Sequence, residues 1–308
     1  MIDRNLFRLS REVETALAEH RAVVALESTV IAHGLPRPQN LETARRLEQI
    51  VRERDAIPAT IAAFDGCFYV GLDNEQLCRL AEIEGIHKLS RRDLPLAVAN
   101  KWNGATTVAT TAWIAHRVGI KVFATGGIGG VHRGNLPDVS ADLPILAETP
   151  LIVVCSGAKI VLDLSATREW LETHGVTVIG YECDEMPAFY TRRSNLAVDA
   201  RVDSAQAAAA IYDAQQQLQT NAALLLTVPV PAASEVEASA LQRALDEALT
   251  AAATAHITGR ELTPYLLSRM KETSGGATLN ANIALLENNA RVAADVAGAL
   301  SKQGRSEI

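Results

Sequence analysis

The chain has 308 residues, 48% of them apolar, enough to bury a core without help from disulfides or a structural metal. Its 29 Lys+Arg against 36 Asp+Glu leave a net charge of −7, which lacks the basic excess of a protein that tracks nucleic-acid phosphates. The start, MIDRNLFRLSREVETALAEH, is too charged for a secretory leader, and no apolar run approaches the roughly 18 residues of a membrane span.

Taken in chain order, short β-rich runs alternate with amphipathic helical runs. Ala22–Leu26 reads as a strand. Pro38 then fits the first turn of a helix in which Leu41, Ala44, Leu47, Ile50 and Val51 recur at helical spacing. Thr60–Phe64 and Cys67–Val70 flank Asp65-Gly66, a pair suited to a tight hairpin turn. Helices are expected over Glu75–Glu84 and Val108–Val118, and a strand over Lys121–Ala124. Leu151–Cys155 is apolar throughout, the pattern of a strand buried on both faces. A helix over Leu162–His174, a strand over Val176–Gly180, a helix over Ala205–Gln219, a strand over Ala222–Val228 and a helix over Glu235–Ala253 continue the alternation. Helical segments near Pro264–Thr273 and Asn280–Leu300 end the chain. Strands separated by helices imply one three-layer α/β/α domain over residues 1–308, with a mixed, mainly parallel central sheet. Cys67, Cys78, Cys155 and Cys183 form no CxxC pair and no zinc spacing, so they read as reduced thiols in a cytosolic protein.

In open α/β sheets, ligands sit outside the carboxyl ends of the strands. Four runs there carry chemistry. Glu27, after Ala22–Leu26, is a carboxylate whose partial burial would suit a general acid; the plainer alternative is a structural ion pair or cap. Thr125 to Gly134 holds five glycines in ten residues, which reads as a ligand loop with exposed amides rather than a mere connection. Ser140 could cap a helix beginning at Ala141-Asp142, with Asp138 outside it as a ligand for a hard divalent cation; a plain capped helix is the alternative. Lys159, just past a buried strand, sits where burial would disfavour the charged form and leave a nucleophilic amine; a lysine reaching solvent is the alternative. Lys88, His33 and His132 are lesser candidates. Asn280 and Asn282 could read a base edge, Asn103–Val108 could approach a ligand closely, and Asp184–Phe189 could cover a site.

Taken together these runs resemble one family, the pseudouridine-5′-phosphate glycosidases, related to indigoidine synthase A-like proteins. The resemblance is carried by VALESTVIAHGLPRPQN from Val24, HKLSRRDLP from His87, NGATTVA from Asn103 and FATGGIGGVHRG from Phe123. DVSADL from Asp138, VVCSGAK from Val153, DEMPAFY from Asp184, LTPYLL from Leu262 and NANIALLENNA from Asn280 complete an ordered set over about residues 20–295. One departure is the stretch Arg133 to Asp138, shorter than the family's, with Pro137 directly before Asp138.

The resemblance implies reversible cleavage of pseudouridine 5′-phosphate by water to uracil and ribose 5-phosphate. It assigns Lys159 as the nucleophile that forms an imine with the opened sugar, Glu27 as the proton donor and Asp138 as the Mn²⁺ ligand. Lys88, Val108, Ser140, Ala141 and Asp142 match substrate-binding positions, and Thr125, His132 and Asn282 look like further site residues. It also implies a homotrimer. The leaving atom is a carbon of uracil, so simple protonation plus water is a poor route; an imine with the opened sugar offers another. The alternatives are a lysine-dependent aldolase or isomerase of another phosphosugar, and a non-catalytic ligand-binding partner protein.

Overall fold

The computed structural model describes residues 3–134, 138–257, 259 and 262–303. In chain order the elements are β1 (Phe7–Leu9), α1 (Arg11–Ala18), β2 (Val23–Leu26), α2 (Gln39–Arg52), β3 (Ile57–Phe64), β4 (Cys67–Val70), α3 (Asn74–Glu82), β5 (His87–Leu89), α4 (Leu94–Ala99) and β6 (Gly104–Thr106). There follow α5 (Val108–Val118), β7 (Val122–Ala124), α6 (Asp142–Glu148), β8 (Ile152–Cys155), α7 (Leu164–Thr173), β9 (Thr177–Tyr181), β10 (Ala200–Val202) and α8 (Ala205–Gln217). Last come β11 (Leu224–Thr227), α9 (Ala238–Thr254), α10 (Leu262–Thr273) and α11 (Ala277–Gln303).

The sheet runs β1-β4-β3-β2-β7-β8-β11-β9-β10, with β6 also on β3 and β5 on β6. From β3 to β10 every pairing on this path is parallel. The central strands VVAL, IVVC and LLLT are buried at every position, as expected where helices cover both faces. On one face α11 lies across β2, β7 and β8, with α2 and α8 beside it; α5 covers β2 and β7 from the other face. The three-layer, mixed and mainly parallel architecture expected from the alternation is therefore present.

β3 belongs to two pairing regimes. Ile57 to Thr60 pair parallel with β2, whereas Ile61 to Phe64 pair antiparallel with β4 through the Asp65-Gly66 turn. The antiparallel half also takes up β6, at Ala62 and Ala63. Where β3 leaves β2, the Ile61 carbonyl accepts from the hydroxyls of Ser28 at 2.6 Å and Thr106 at 2.7 Å, so the switch leaves that buried oxygen satisfied. The expected strand at Thr60 was too short. Pro58 disguises its first half, and it is tolerated there inside an otherwise apolar run. β1, β5, β6 and α4 are short elements that the periodicity did not reveal; three-residue strands carry too few alternations to register.

α5 occupies the expected residues. Thr107 caps it by accepting from the Thr110 amide, and Gly119 at φ 89° closes it in the left-handed region. α6 corrects an expectation: the helix starts at Asp142 with Ala141 at the cap position, and Ser140 stands one residue outside. Among the described residues no helix is long and apolar enough to cross a membrane, and all four cysteines are free.

Candidate active site

Register brings three strand ends into line. Leu26 is opposite Ala124 and Ala124 opposite Val154, so Glu27, Thr125 and Cys155 follow at neighbouring strand ends. A cleft of about 680 Å³ opens above them. Its walls include Glu27, Lys88, Val108, His132, Asp138, Ser140, Ala141, Asp142 and Lys159. Nine of the eleven residues assigned by the family resemblance thus meet around one cavity, from six different segments. A tenth, Thr125, lies just behind the wall.

Glu27 is held from both sides. Its neighbour Ser28 is fully buried, donating to the Ile61 carbonyl and accepting from the Thr106 amide at 2.8 Å. The buried Thr125 hydroxyl donates to Glu27 Oε1. Glu27 keeps part of its surface open to the cleft, yet the protein packed around its carboxyl group strips hydration from the charged form. Burial pushes its pKa above the usual carboxylate range; Lys159, the Thr125 hydroxyl and Lys88 pull the other way, and Asp142 adds to the rise. A carboxyl group that keeps its proton to higher pH is suited to act as a general acid.

Lys159 follows β8 on a segment fixed by its backbone. Ala158 bridges Ile128, the Lys159 amide donates to the Ile128 carbonyl at 3.2 Å, and the Lys159 carbonyl accepts from Leu162 at 3.0 Å. Gly157 sits at φ +79°, where a Cβ would run into the Pro187 carbonyl oxygen. The side chain of Lys159 is half-buried and reaches the cleft. Below it, burial pushes the Cys155 thiol up to about 12, which removes it as a nucleophile.

Much of the backbone of the glycine run is engaged within the protein. The amides of Thr125, Ile128, Gly129, Val131 and His132 all donate within the protein. What the missing side chains permit is close approach: a Cβ at Gly127 would come within 2.8 Å of the Phe189 ring and 2.9 Å of the Gly157 oxygen. Phe189, Met186 and Tyr190 are buried, so the Asp184–Phe189 run forms a wall behind the loop rather than a cover over the cleft.

Asp142 ties the cleft together. Its Oδ1 accepts from the Ala109 amide in the first turn of α5 at 2.9 Å, and its Oδ2 accepts from Gly129 at 2.8 Å. A carboxylate facing a helix N-terminus is electrostatically favoured there. Asp138 is exposed at the rim, and its carbonyl accepts from the His132 amide. The shortened stretch before it falls partly on residues 135–137, outside the described residues. The described residues contain no cluster of three or more His, Cys, Asp or Glu able to cage a metal. One exposed carboxylate is instead compatible with a hard divalent ion held largely by water and substrate oxygens.

Asn282 is placed elsewhere. It lies buried on the first turns of α11 and lines a separate cleft of about 230 Å³ with His33 and Tyr190. Conversely, Thr29, Arg91 and Arg92 line the main cleft although they were not singled out, and Thr107 joins them from the Asn103–Val108 run. Arg91 pairs with Glu148 at 2.7 Å, while Arg92 stays exposed near Asp93. The HKLSRRDLP run held the signal for both arginines, adjacent to Lys88.

A family profile described as indigoidine synthase A like protein matches residues 12–299. The chain belongs to the indigoidine synthase A-like family. Among its relatives is the pseudouridine-5′-phosphate glycosidase of Geobacillus kaustophilus, 51% identical over 95% of this chain and 98% of that one. The enzyme of the same name from Arabidopsis thaliana is 46% identical over 97% of this chain and 92% of that one. Among solved structures, the prealnumycin C-glycosynthase AlnA, in complex with ribulose 5-phosphate, superposes with a TM-score of 0.91 at 40% identity, covering 99% of this chain and 100% of that one. An indigoidine synthase A-like protein from Thermotoga maritima superposes with a TM-score of 0.90 at 34% identity, covering 98% of each chain.

Proposed function

We propose that this chain is a pseudouridine-5′-phosphate glycosidase, reversibly converting pseudouridine 5′-phosphate and water to uracil and ribose 5-phosphate, with Lys159 as nucleophile and Glu27 as proton donor. The observation that carries this reading is the meeting of Glu27, after β2, and Lys159, after β8, in one cleft either side of β7, in a chain half identical to proteins of that name over nearly its whole length.

Cleaving a carbon–carbon bond to uracil needs somewhere for the electron pair to go and something to drive it there. The uncharged Lys159 amine bonds to C1′ of the ribose as the ring oxygen leaves and takes a proton. Glu27 protonates the uracil carbon, and the nitrogen lone pair then forms a C=N bond as C1′ parts from that carbon, the released pair restoring the ring's C=C double bond and giving uracil. Water hydrolyses the imine to ribose 5-phosphate and frees the lysine. The pair therefore acts as free amine and carboxylic acid, and burial of Glu27 favours its half of that requirement.

Lys88 and the Arg91-Arg92 turn give one wall positive charge for the substrate phosphate, with Val108 and Ser140 to Asp142 closing the cleft around the sugar. AlnA, solved with ribulose 5-phosphate, supports a phosphosugar as the occupant. Asp138, at the rim, would hold Mn²⁺, which when bound neutralises and orients substrate oxygens. A trimer is proposed on the family resemblance. The direct test follows uracil release from pseudouridine 5′-phosphate by ultraviolet absorbance, with Mn²⁺ and with chelator. Turnover restored by the metal supports the whole reading; no uracil under any metal condition sinks it.

A further inference from the structure

One buried row of α11 is apolar except at a single position. Ala281, Leu285 and Ala293 follow one another at helical spacing, all fully buried, and Asn289 stands in the same row, equally buried. A polar side chain in such a stripe is costly unless its hydrogen bonds are made. They are made to the two strand ends that carry the chemistry. The Asn289 Nδ2 donates to the Thr125 carbonyl at 2.8 Å and to the Ser156 Oγ at 3.1 Å; the Ser156 hydroxyl in turn lies 3.3 Å from Oδ1. α11 comes near enough because Gly126 has no side chain: a Cβ there would lie 3.2 Å from Leu285 and 3.3 Å from Leu286.

We propose that Asn289 is a positioning residue, a buried amide bracket that fixes the strand end bearing Thr125, and through it Glu27, relative to the segment bearing Lys159. Thr125 delivers the hydrogen bond to Glu27, and Ser156 lies three residues before Lys159. Asn289 itself touches neither of the reacting groups. Its two arms set the spacing between proton donor and nucleophile, which must reach the two ends of the same C–C bond. This rests on the reaction proposed above. A misplacement on the order of 1 Å in such a pair costs about a hundredfold in rate.

The test compares steady-state uracil release by wild type, Asn289→Ala, Asn289→Asp and Ser156→Ala, with thermal unfolding of each. Asn289→Asp keeps the size but turns an acceptor toward the Thr125 carbonyl; Ser156→Ala removes only one arm. Val292→Ala, a core truncation nearby on α11, is the control for general loosening. The expected result is kcat lowered about 10- to 100-fold at Asn289, less at Ser156, with KM within about threefold and Val292→Ala near wild type. Losses confined to KM, losses no greater than that of Val292→Ala at a matched drop in Tm, or kcat within twofold of wild type in all three site variants would each overturn the assignment. Inactive wild type would overturn the reaction and this inference with it, whereas active wild type with unaffected variants would overturn the bracket alone.

Discussion

Thr125 donates its hydroxyl hydrogen bond to Oε1 of Glu27, joining the ends of β7 and β2 across the floor of the cleft. The bond orients a carboxyl group that burial keeps protonated to unusually high pH. Glu27→Gln keeps the shape and the hydrogen-bonding oxygen but cannot release a proton. It should lower kcat by about 10²–10⁴-fold, read as uracil release, while substrate still binds. Activity near wild type would remove Glu27 from the reaction.

The same shift has a consequence for stability. Glu27 binds its proton more tightly in the folded chain than in the unfolded one. It therefore favours folding fully below the ordinary carboxylate pKa, and this contribution disappears as pH rises through the elevated native value. Melting temperatures of wild type and Glu27→Gln, measured in parallel, should diverge in the variant's favour as pH rises above about 4 and level off once the native carboxyl has ionised. A difference independent of pH contradicts the raised pKa.

The architecture and most of the cleft were legible because both follow from strong, local signals. Buried parallel strands read as unbroken apolar runs, and ligand groups gather at their carboxyl ends, so Glu27, Thr125 and Lys159 could be found one strand at a time. The glycine run was legible as special but not as to purpose. From sequence, glycines that expose amides look the same as glycines that admit Phe189, Ser140 and α11 at close range. The helix start near Ser140 was displaced by one residue: Ser140 has the side chain of a cap, and only the fold shows Ala141 in that position and Asp142 turned toward Ala109 and Gly129. Asn289 left a trace: an amide in the row of Ala281, Leu285 and Ala293. Its partners, more than 130 residues away in sequence, left none.

Asp142 joins α5 to the glycine loop by accepting from two backbone amides. Asp142→Asn retains one acceptor but presents an NH₂ group to the other donor, leaving a buried amide unpaired. The expected loss is about 1–3 kcal/mol of stability, visible as a lower Tm. A Tm equal to wild type would mean that the two amides find other partners.

Gly157 holds the segment of Lys159 in a conformation other residues rarely adopt, with the Pro187 carbonyl where a Cβ would go. Gly157→Ala should cost about 1–3 kcal/mol in backbone strain, with more for the displaced carbonyl. Because Lys159 is two residues on, the variant should also lose turnover out of proportion to its stability. Assays well below its melting temperature separate the two effects. Full activity in that range would show that the segment tolerates movement.

Thr125→Val tests the Glu27 hydrogen bond at nearly constant volume. The hydroxyl stabilises the ionised carboxylate and so holds the Glu27 pKa below the value that burial alone would set. Removing it makes ionisation harder, and the proton is kept to still higher pH. If Glu27 is the proton donor, activity declines as it ionises, so the alkaline limb of kcat against pH should move upward in the variant. The maximum rate should fall because the carboxyl group loses its orientation. A pH-rate profile from about pH 5 to 10 separates these effects, one being a horizontal displacement and the other a vertical one. A limb that stays in place or moves to lower pH would show that another group controls it.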